Sequence, residues 1–104
     1  MPQSSGTYDS QKALITATGR TRVLNISAAT VIKATPGRIV KVQVLVAGTT
    51  VGTINDLAVL TGAALANQVG VIPNTVGPFD ISMPCSTGIL IVPGTGQTVA
   101  VSYN

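Results

Sequence analysis

The chain has 104 residues, 45% of them hydrophobic and only 9% charged, against roughly a quarter charged in an average domain. Its acids are Asp9, Asp56 and Asp80, with no Glu and no His, and six Lys and Arg residues leave a net charge of +3. Helical bundles, coiled coils and charged disordered tails all depend on the long charged side chains that are nearly missing here, so those classes are excluded.

In chain order, residues 1–11 are polar, hold three Ser and Gly6, and read as an arm. From residue 12 onward Val, Ile and Thr dominate. Gly or Pro interrupts them every 8–12 residues or so, a typical spacing for an all-β sandwich or barrel. RVLNIS (22–27) and ATVIK (29–33) read as strands. Thr35-Pro36-Gly37 is turn chemistry, because Pro fixes φ and Gly accepts positive φ; it predicts that 29–33 pairs with the strand that follows. That strand, RIVKVQVLVA (38–47), is the clearest of all. Val40, Val42, Val44 and Val46 make one apolar face, and Lys41 and Gln43 fall on the other. Gly48-Thr49-Thr50 turns the chain into VGTI (51–54). LAVLTGAALANQ (57–68) reads as a loop or short helical turn, since Val59 and Gly62 weaken its helical face. NQVGVIP (67–73) is a strand ended by Pro73-Asn74. FDISM (79–83) sets Phe79, Ile81 and Met83 on one face. ILIV (89–92) is apolar on both faces, which predicts a central, covered strand. QTVAVSY (97–103) points Val99, Val101 and Tyr103 inward, and PGTG (93–96) predicts a hairpin joining these last two strands. The result is an all-β chain: a β-sandwich or jelly-roll-like domain of about seven to eight short antiparallel strands with an extended N-terminal arm. Residues 1–28 are assigned to the arm, which adds a strand to this domain, stays mobile or, as the favoured option, crosses or docks to a neighbour. Residues 29–104 are assigned to the sandwich.

A single domain fits this length. With no Trp, one Phe and two Tyr, its core must come from Val, Ile, Leu and Ala. A mean hydropathy of +0.50 predicts apolar surface covered by a partner. The uncharged stretches 57–79 and 81–104 are long enough to span a bilayer, but their Gly, Pro and Asn residues exclude spanning helices. The first residues, MPQSSGTYDS, lack the basic-then-apolar pattern of a secretory signal. Cys85 stands alone, so no intramolecular disulfide can form. It reads as a small, half-buried hydrophobe, with a disulfide to another subunit as the alternative.

Catalytic routes are few. Without His, the Ser–His and Cys–His pairs cannot be assembled. A carboxylate pair would need Asp56 and Asp80 to meet; the plainer readings are an Asx-type turn for Asp56 and a solvated strand face for Asp80. Zinc and calcium sites need clustered ligands, and the sequence offers none. PGTGQT (93–98) lacks the Lys and the upstream Gly of a phosphate loop. The chain is therefore expected to be no enzyme and to need no cofactor or metal. The six bases, Lys12, Arg20, Arg22, Lys33, Arg38 and Lys41, all precede residue 42, which leaves that portion at +5 and the remainder at −2. Such sorting suits an acidic protein face or nucleic acid. Arg20, Arg22, Lys33, Arg38 and Lys41 are the candidate contacts. Nucleic acid is the poorer fit, because aromatic stacking residues are not interleaved with the bases.

The run from residue 30 to 104 also resembles a group of small proteins encoded among the structural genes of tailed bacteriophages. Its marks are a valine-rich strand before a G-x-x-x-D segment (Gly52, Asp56), an I-P-x-T-x-G turn (Ile72, Pro73, Thr75, Gly77), and a P-x-x-x-G-I strand start (Pro84, Gly88, Ile89). PGTGQT (93–98) and a closing V-x-V-S-Y strand (Val99, Val101, Ser102, Tyr103) complete them. The resemblance implies a non-enzymatic virion part with a β-sandwich fold. Foremost is a capsid decoration (cement) protein on the outer capsid surface, partnered by the major capsid protein and assembled as a homodimer or homotrimer. The alternative it leaves open is a head-fibre, tail-fibre or spike module that meets a host surface.

Overall fold

A computed structural model describes residues 21–104. It contains eight strands: β1 (Thr21–Ile26), β2 (Thr30–Lys33), β3 (Gly37–Val46), β4 (Gly52–Asn55), β5 (Gln68–Ile72), β6 (Gly77–Cys85), β7 (Ile89–Val92) and β8 (Thr98–Tyr103), with one 3₁₀ turn at Leu65–Asn67. They form two four-stranded antiparallel sheets, ordered β1-β8-β3-β6 and β2-β7-β4-β5. Ile26, Ile39, Val42, Val44, Val99 and Val101 from the first sheet meet Ile54, Ile72, Ile89 and Ile91 from the second in one buried cluster. The all-β sandwich expected from the sequence is thus the fold. Its core is aliphatic, with Phe79 and Tyr103 only packed against its margin.

The pairing is nested: β1 lies on β8, β2 on β7, β3 on β6 and β4 on β5. One long folded-back ribbon therefore rolls into two sheets, closed by the extra pairs β3–β8 and β4–β7. That is the order of a jelly roll. Every connection except β4–β5 passes from one sheet to the other. Residues 21–26, placed in the N-terminal arm by the sequence, make β1 and pair with β8 of their own chain. The rest of the arm lies outside the described residues.

Two turn assignments need correction. PGTG does not close a hairpin, and 29–33 does not pair with 38–47, because β7 and β8 belong to different sheets, as do β2 and β3. Gly and Pro mark where the chain turns. Whether the next strand lies beside the last or across the core depends on partners far away in sequence. The apolar faces shift as well. Val46 is 51% exposed because the β3–β8 register slips between Val44 and Val46. Met83 is 40% exposed because β6 bulges at Ser82, whose φ is +51°. As expected, β7 is central, and Ile89, Leu90 and Ile91 are fully buried.

Cys85 is more deeply buried than expected, at 2% exposure inside the core cluster. Burial, with the nearby Asp56 charge, pushes its thiol pKa up despite a hydrogen bond from the Ile39 backbone. Alkylation by iodoacetamide in native buffer is expected to be at least tenfold slower than in denaturant, because the thiolate is the nucleophile. Equal rates would contradict this packing.

Candidate partner-binding face

On the first sheet, Val23, Val42 and Val101 point into the core, so their neighbours Arg22, Lys41 and Ser102 point outward. The register sets Arg22 opposite Ser102, Ser102 opposite Lys41, and Lys41 opposite Asp80, one row across four strands. The next outward row on the same face holds Leu24, Ala100, Gln43 and Pro78. Central β8 carries the small side chains Ala100 and Ser102, while its neighbours carry long ones. A shallow groove of about 160 Å³ therefore runs along β8, walled by Arg22 and Leu24 on one side and Lys41 and Gln43 on the other.

Two cationic groups flank this groove about 10 Å apart, two strand spacings. Lys41 Nζ lies 4.0 Å from Asp80 Oδ1, with both side chains well exposed, so the pair is worth little and leaves the ammonium available. Among the described residues Arg22 has no hydrogen-bond or ion-pair partner. Beside it Leu24 is 56% exposed. Cations beside apolar walls suit a carboxylate carried on an apolar or extended stem.

Of the residues singled out in the sequence, Arg22 and Lys41 are brought together. Arg38 is spent locally: its Nη1 donates to the Ser82 carbonyl at 3.3 Å. Lys33 ends β2 in the other sheet and lies across Gly37, where an added Cβ would stand 3.2 Å from Nζ. Arg20 lies outside the described residues. Phe79 and Tyr103 pack against the core. No group of three or more potential metal ligands exists among the described residues, and no helix there is long and apolar enough to cross a membrane.

Asp56 and Asp80 do not meet. Asp80 sits on the outer face as expected, but Asp56 forms no local Asx turn. Its carboxylate accepts from Ser86 N and Oγ at 3.1 and 2.9 Å, from Thr87 N at 2.7 Å and from Gly88 N at 3.2 Å. It thus pins the turn between β6 and β7, thirty residues away. Desolvation pushes its pKa up, but the Thr87, Gly88 and Ser86 hydrogen bonds outweigh that and hold it below the ordinary 3.8. A depressed folded-state pKa contributes stability that is complete above the unfolded value and lost as the pH falls through the folded one. Asp56→Ala is expected to cost about 1–2 kcal/mol at pH 7 and to flatten the stability loss below pH 4. Urea titrations at pH 7 and pH 3 check this; a variant equal to wild type at both would remove Asp56 from its structural role.

No protein-family model, curated protein or solved structure matches the chain. Function must therefore be argued from the groove and its surroundings. The carboxylate clasp and the buried Gln97, described below, are the elements that sequence reasoning missed. Their only sequence trace is Asp56 and Gln97 standing directly beside strands without alternating into them.

Proposed function

We propose that this chain is a non-enzymatic structural protein of a tailed-bacteriophage particle, a decoration (cement) protein that binds the outer capsid surface. The observation that carries the reading is the β8 groove, with Arg22 and Lys41 on a rigid sheet face beside Leu24. A sheet face docks without ordering a loop, so the entropy lost is mainly that of the long side chains themselves. The cations would steer an acidic capsid face and set its register, more than supply raw affinity. The fold is compatible, since jelly rolls recur in capsid proteins, although fold alone assigns no activity. The sequence resemblance supplies the particle.

Binding of the full chain to preformed heads, followed by sedimentation, tests this. A fixed number of copies per capsomer is expected, with weaker binding as salt rises. Arg22→Glu with Lys41→Glu is expected to lower affinity at least tenfold while leaving the far-ultraviolet circular dichroism spectrum unchanged. Jelly rolls also occur in lectin domains. Binding to host glycans or to the tail, indifferent to those two substitutions, would assign the chain to a fibre or spike and overturn the capsid reading.

A further inference from the structure

The charges of the described residues are sorted along the length of the sandwich. At one end lie the β2–β3, β4–β5 and β6–β7 connections, with Thr21 and Asn104; at the other lie residues 27–29, 47–51, 73–76 and 93–97. Lys33, Arg38 and Asp56 sit at the first end, and the Arg22–Lys41–Asp80 row crosses the sheet above them. Beyond that row no described residue is charged. Both ends expose apolar side chains, Val59, Leu60 and Leu65 beside the charges of the first and Leu45, Val46, Val51 and Val76, at 47–65%, at the second, where the surrounding residues are uncharged Thr, Asn and Ser.

That end is also held firmly. Gln97 is fully buried and receives Gly94 N on Oε1 at 3.0 Å, while its Nε2 donates to the Pro73 carbonyl at 2.8 Å. Thr95 N donates to Thr50 Oγ1 at 2.8 Å, and Thr49 N to the Thr95 carbonyl at 2.9 Å. Three of the four connections at this end are thus tied into one unit.

We propose that this uncharged end is a homotypic interface, where copies of this chain associate with one another. The resemblance already implies a homodimer or homotrimer; the charge distribution adds which surface makes the contact, and that choice does not rest on the capsid reading. The chain is cationic, at +3, so two copies attract only where their charges stay apart. Lys41 lies five residues along β3 from Val46, about 16 Å. Copies joined at this end keep their cationic rows about 30 Å apart, several screening lengths at physiological salt. Any approach through the other end or the β8 groove brings like charges together. A strongly charged partner would gain nothing here and would lose solvation. A second copy offers the matching surface, neutral, apolar at its edges and already rigid.

Sedimentation velocity of the full chain at concentrations up to about 100 μM tests the proposal. A dimer or higher closed oligomer is expected, and it should persist in 1 M NaCl. Val51→Asp with Val76→Asp places like charges in the contact and is expected to weaken association at least tenfold. Both side chains are at least half exposed, so the fold should survive, as an unchanged denaturant midpoint would show. Leu45→Glu with Val46→Glu provides a second, independent disruption. Leu60→Asp with Leu65→Asp, in the exposed β4–β5 connection at the charged end, should leave association unchanged. A monomeric wild type, undiminished association in both end variants, or dissociation caused by the Leu60/Leu65 pair would each overturn it.

Discussion

Gln97→Leu is expected to lower the unfolding free energy by about 2–4 kcal/mol, one of the largest losses available at a single position. The leucine is close in volume, so little of the loss comes from packing. It comes from stranding the buried Gly94 N–H and the partly buried Pro73 carbonyl, both satisfied by the fully buried Gln97 amide. A buried group left without its partner costs about 1–3 kcal/mol, and two are left here. Gln97→Glu separates the causes: it keeps an acceptor for Gly94 N but removes the donor to Pro73 and adds a buried charge. It should therefore be the worse of the two at pH 7 and recover in part at pH 4. Chemical denaturation with unchanged m-values would measure both. A loss below about 0.5 kcal/mol for Gln97→Leu would mean that water or a shifted backbone replaces the amide.

The second large effect falls three residues earlier. An added Cβ at Gly94 would collide with the Thr50 carbonyl oxygen and stand 2.7 Å from its carbon. Both are backbone atoms of the neighbouring connection, so neither can swing aside. Gly94→Ala is expected to destabilise by about 3 kcal/mol or more, the upper range for overpacking. Gly96 is the internal comparison. Its φ is +74° and nothing lies within 4 Å of an added Cβ, so Gly96→Ala meets only backbone strain, about 1 kcal/mol. Thermal melts of the two variants should rank in that order. The reverse order would show that the 47–51 and 93–97 connections are not packed together.

How far the sequence can be read depends on the range of the force involved. Strand positions were legible because alternation along RIVKVQVLVA or TVAVSY is a local record of which side faces the core. The centrality of ILIV was legible for the same reason, since both of its faces are apolar. Strand partners were not. Pro36-Gly37 and Pro93-Gly94 carry the same turn chemistry whether the chain folds back beside itself or steps to the opposite sheet. Register slips at Val46 and Met83 arise from bulges set by facing strands. The candidate face was half legible: Arg22 and Lys41 were among the basic residues, but their meeting across Ser102 needs β1 and β3 on either side of β8. The Asp56 clasp on Ser86, Thr87 and Gly88 spans thirty residues and leaves no periodic trace.

The nested pairing has a consequence for how this molecule comes into being. β8 is the last of the described strands in chain order, yet it is central, flanked by β1 and β3. Until its six residues are released, the first sheet lacks the strand that joins its two halves, and β1 has no partner at all. The first sheet cannot close before β8 is present, and its closing contacts span nearly the whole described sequence, a topology that orders slowly. During that interval the apolar inner faces of β3 and β6 stand open, the kind of surface that makes a partly folded chain prone to aggregate. The folded domain should then be hard to unravel by force applied to β8, because pulling on that strand loads two strand ladders at once.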